Sequence, residues 1–67
     1  MNEYSREVLL TAVAILDTIG DFVNDFDKAV AMAKGRADEL GLKEPKASWF
    51  VGDVLNAANE MDAADEL

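Results

Sequence analysis

The chain has 67 residues, enough for one domain, and contains neither Cys nor His. That composition removes disulfides, zinc sites built from thiolates and imidazoles, and the commonest catalytic nucleophiles and bases. Six Lys and Arg against 14 Asp and Glu leave a formal charge of −8, so nucleic acid and anionic membranes repel the chain while a basic protein surface attracts it.

A hydrophobic fraction of 51% is far above that of a disordered tail, and a single helical domain over residues 1–67 is expected. Lone cores below roughly 70–80 residues rarely supply more than ~3–5 kcal/mol. With cross-links excluded, self-association is the expected supplement. The first seven residues hold two acids and one base where a secretion leader would be positive. Asp17, Asp21 and Asp25 interrupt the longest apolar run. These features predict a soluble, cytoplasmic protein without a membrane span.

In chain order, Ser5, or Asn2 before it, is suited to cap a first helix, with Glu7 favourably placed in the first turn. Apolar residues then recur with helical period as far as Leu40. One register reads Leu9, Leu16, Val23, Val30, Ala37; a second Ala12, Ile19, Phe26, Ala33, Leu40; a third Val8, Ile15, Phe22, Ala29. The phase never resets, and no stretch alternates with period two, so an all-helical fold is predicted. Gly41 supplies a left-handed stop, and Leu42 to Lys46, containing Pro45, reads as a loop. Ser48 then caps a second helix from about Trp49 to Asp65, with Phe50, Val51, Val54, Leu55, Ala58, Met61 and Ala64 on its apolar face. Asp53 to Leu67 hold five acids and no base.

Gly20 decides the architecture. The unbroken phase favours one long helix over about 5–40, with the shorter helix over about 49–65 folded back antiparallel. The alternative is a three-helix monomer broken at Gly20. A helix over 6–40 spans ~50 Å and its partner only ~25 Å, which leaves Leu9, Ile15, Leu16, Ile19 and Val23 uncovered. The expected remedy is a homodimer in a four-helix arrangement, with those five residues at its interface.

Catalysis finds little support. Ser5 and Ser48 sit at cap positions without a base beside them, and the four glycines are scattered, with no phosphate-cradling loop. Asp17, Asp21 and Asp25, at i, i+4, i+8, line one helical face under the long-helix reading, with Asn24 and Asp27 nearby. Such a row reads first as a solvated face, then as a docking surface for a basic partner, and last as a Mg²⁺ or Ca²⁺ site. The helical nucleotide pyrophosphohydrolases that hold magnesium this way need a second acidic set and a basic phosphate clamp, neither of which is present. No metal and no cofactor are expected, and the chain is not expected to be an enzyme.

Trp49 falls with Asp53, Asn56 and Glu60 on the polar side of the last helix. It reads equally as a binding anchor or as a lid folded over Leu42 or Pro45. Tyr4 is similarly placed to contact a partner. Phe22, Phe26 and Phe50 read as core, and Ala29, Ala33 and Ala37 as a shallow face that admits a bulky neighbour such as Phe50 or Trp49.

The functional expectation is a non-catalytic protein-binding module, a regulator or inhibitor that docks on a larger, basic-surfaced protein through Asp17, Asp21, Asp25, Trp49, Asp53 and Glu60. It makes no direct contact with nucleic acid or membrane. In size and charge alone, the chain also resembles small acidic phage-encoded proteins, including some anti-CRISPR proteins and restriction inhibitors. That resemblance implies nucleic-acid mimicry, with carboxylates standing in for phosphates. A third reading is a structural subunit whose only activity is helix association.

Overall fold

The computed structural model describes residues 4–65. They form three helices and no strand: α1 (Arg6–Thr18), α2 (Phe26–Glu39) and α3 (Lys46–Asp65). The all-helical class is as expected from the periodicity. The single helix over 5–40 is corrected to two, and three helices fit the alternative reading.

α1 begins where Ser5 accepts a hydrogen bond from the Val8 backbone N–H, at 3.3 Å. It ends at Ile19, whose ψ of 139° leaves the helical region. The stop depends on Asp21. Its Oδ1 accepts from the N–H groups of Val23 (3.0 Å) and Asn24 (3.3 Å), and its Oδ2 accepts from the Asn24 side-chain amide (2.7 Å). A short acidic side chain that satisfies nearby backbone donors competes directly with helix continuation. The heptad phase survives the break because Ile19 and Phe22 both turn inward at this end of the bundle. Their spacing is that of a helix although the backbone between them is not helical.

α2 ends as the sequence predicts. Gly41 takes φ 73°, its N–H reaches the Asp38 carbonyl, and the Leu42 N–H reaches the Ala37 carbonyl, both at 3.0 Å. These two bonds satisfy carbonyls that the helix end leaves open. α3 starts at Lys46, directly after Pro45, earlier than expected. Ser48 therefore lies inside the helix, and its hydroxyl donates to the Glu44 carboxylate instead of capping.

The core is one cluster. α1 contributes Val8, Ala12 and Ile15; the connection contributes Ile19 and Phe22. α2 presents Ala29, Ala33 and Ala37, and α3 presents Phe50, Val54, Ala57 and Ala58. The alanine row lets the larger side chains of the other two helices come close to the centre of the bundle. Thr11 is the one buried polar residue of the described set, and its hydroxyl donates to the Glu7 carbonyl at 2.7 Å. α3 packs against both other helices, whereas α1 and α2 touch each other least.

Candidate functional site

Residues expected at a dimer seam divide between inside and outside. Ile15 and Ile19 are buried in the chain's own core, and Leu16 packs half-buried against it. They are not available to a second copy, because the break after Thr18 folds α2 back so that α2 and α3 cover them. Leu9 stays partly exposed, and Val23, at 75%, is almost fully in solvent. α1 has 13 residues and α3 has 20, so no short helix is left to cover a long one.

The aspartate row is corrected in the same way. Asp17 lies on α1, Asp21 in the connection and Asp25 at the entry to α2, so the three do not share a helical face. Asp21 is occupied by the turn it makes. Among the described residues, no three acidic side chains come together in a way that would hold a metal ion. Val23 and Phe26, both expected on the apolar stripe, sit exposed among Asp21, Asn24, Asp25 and Asp27. Phe26 meets the buried Phe22 edge to face, with ring centroids 5.5 Å apart.

α3 leaves Trp49 exposed. Leu42 packs on the core, but Trp49 does not fold down upon it: the indole is 64% exposed. Phe50, the next residue, takes the inward position instead. The rotation of 100° per residue that buries Phe50, Val54 and Ala58 and packs Met61 against them carries Trp49, Asp53, Asn56 and Glu60 outward, and all four are exposed. The result is an exposed aromatic with Lys46 one turn before it and Asp53 and Glu60 beyond it on the same face.

Three shallow grooves complete the surface. The widest, about 550 Å³, runs between α2 and α3 and is lined by Lys34, Ala37, Asp38, Ser48 and Val51 among others. Two more follow the loosely packed α1–α2 seam. One, about 300 Å³, is bordered by Leu10, Ala14, Met32 and Arg36; the other, about 380 Å³, by Thr18, Asp25, Lys28 and Met32. The Ser48 hydroxyl and the Glu44 carboxylate to which it donates both line the groove between α2 and α3. No buried side-chain nitrogen or oxygen among the described residues lacks a hydrogen-bond partner. No helix among them is long and apolar enough to cross a membrane.

Sequence reasoning missed Leu10 and Val13, which are 52% and 46% exposed on α1. The signal was present: α1 carries apolar residues on both faces, more than one buried stripe requires.

These features define a small three-helix bundle that leaves Trp49, Asp53 and Glu60 exposed on the outer face of α3. Comparison with known proteins finds no family model, curated protein or solved structure that matches the chain.

Proposed function

We propose that the protein is a non-catalytic binding module that regulates or inhibits a larger protein by docking the outer face of α3 onto a basic surface. The observation that carries this reading is the exposure of Trp49 above Asp53 and Glu60. Burying a tryptophan contributes more than almost any other side chain, and tryptophan is enriched among residues that dominate binding energy. A chain short of core material leaves its one tryptophan outside, which makes sense if another protein covers it. The surrounding carboxylates, within a net charge of −8, steer a basic surface toward the face and raise the rate of encounter. Val23 in the α1–α2 connection and Phe26 at the start of α2, both with aspartates beside them in sequence, extend the same chemistry to one end of the bundle.

The test is parallel capture from an extract of the native host on immobilised wild type and on W49A/D53N/E60Q. The reading expects a basic protein retained by the wild type and lost from the variant, with the variant's helical signal intact. Identical capture on both surfaces overturns it. Displacement of the captured protein by duplex DNA separates nucleic-acid mimicry from simple docking.

A further inference from the structure

We infer that the outward face of α1 is a self-association surface, on which a second copy of this chain packs its own α1 antiparallel across a two-fold axis. This inference concerns a different face from the one built around Trp49 and stands independently of it. Residues 8–16 carry no charge in a chain that is 30% charged. On α1 they leave Leu9, Leu10 and Val13 exposed, with Ala14 beside them. No acid interrupts this strip, so it does not suit a basic partner.

Its ends carry the argument. Arg6, Leu10, Val13 and Asp17 are spaced i, i+4, i+7, i+11, which aligns them along one side of the helix. Arg6 and Asp17 are both exposed, and neither enters an ion pair among the described residues. A strip that is positive at one end, apolar in the middle and negative at the other is complementary to itself reversed. Laid antiparallel about the midpoint between residues 11 and 12, it sets Arg6 against the second copy's Asp17, Leu10 against its Val13, and the symmetric pairs likewise. Two-fold symmetry makes every such contact twice. Within one helix, Arg6 and Asp17 lie about 16 Å apart, too far to pair internally. The apolar centre supplies affinity and the terminal pairs fix the register.

The measurement is mass by light scattering or sedimentation equilibrium at concentrations up to about 1 mM. Wild type is expected to reach twice the monomer mass, and L10S/V13S to remain monomeric while keeping its helical signal, since both residues lie outside the core. R6D and D17R are each expected to weaken association roughly tenfold, because symmetry turns two attractive pairs into two repulsive ones. The combined R6D/D17R swap restores it. D17R is the sharper arm: it makes each copy less negative, so overall charge alone would strengthen association, whereas the register requires weakening. A wild type that stays monomeric throughout, a D17R that associates more tightly, or a double swap no better than the singles overturns the inference.

Discussion

Arg36, near the end of α2, donates to the Glu7 carboxylate in the first turn of α1 at 3.1 Å. The pair joins residues 29 apart in sequence and bridges α1 and α2. Both side chains remain more than a third exposed, so solvent and salt screen the attraction. A double-mutant cycle with Glu7→Gln and Arg36→Gln, read by urea denaturation, should return a coupling of about 0.5 kcal/mol that shrinks as salt is raised. Helix packing, and not this contact, holds the seam together.

The Asp21 turn predicts a contrast between neighbouring positions. Asp21→Ala removes the acceptor for two backbone donors and should cost about 1 kcal/mol, by analogy with loss of a helix cap. For a domain of this size that loss lowers the thermal midpoint by roughly 4–8 °C. Gly20→Ala meets open space, and the left-handed backbone conformation is confined to Gly41 among the described glycines. It should leave the midpoint unchanged or raise it slightly, because alanine narrows the unfolded ensemble. Circular dichroism melts of the two variants decide whether the side chain or the glycine ends α1.

Burial sets a second contrast. Ile15 is fully enclosed, and truncation to Ala should cost about 2–5 kcal/mol. That is comparable to the whole stability of a core this small, so Ile15→Ala is expected to be largely unfolded at room temperature. Val23→Ser, at a position that the sequence places on the same apolar stripe, should change stability by less than about 0.5 kcal/mol. Denaturant titrations of the two variants separate the three-helix arrangement from the long hairpin, in which both residues would face the same seam.

Much of the fold was legible in the residues. Ser5, Gly41 and the register Val8, Ile15, Phe22, Ala29 behave as local chemistry and periodicity require, and all four residues of that register are buried. Asn2, the other candidate cap, lies outside the described residues. The break after Thr18 was hidden because Ile19 and Phe22 keep helical spacing while the backbone between them departs from it. Periodicity reports which side chains face inward, not how the chain travels between them. Hence the long helix, the single-file aspartates and a seam through Ile15 and Ile19 were all one error, repeated at three levels. Trp49 was undecidable from sequence because its two readings differ only in which way one side chain swings, and Phe50 beside it takes the inward place. Leu10 and Val13 went unnoticed because a stripe three residues wide already accounted for the buried face of α1.

This chain closes its core without Trp49, and the exposed indole is proposed to serve as an anchor for another protein. The most direct measurement is the dissociation constant of the host partner for wild type and for Trp49→Ala. An anchor worth about 2 kcal/mol or more predicts weakening by at least roughly tenfold, with the thermal midpoint of the free protein unchanged. Equal dissociation constants for the two proteins would contradict the account.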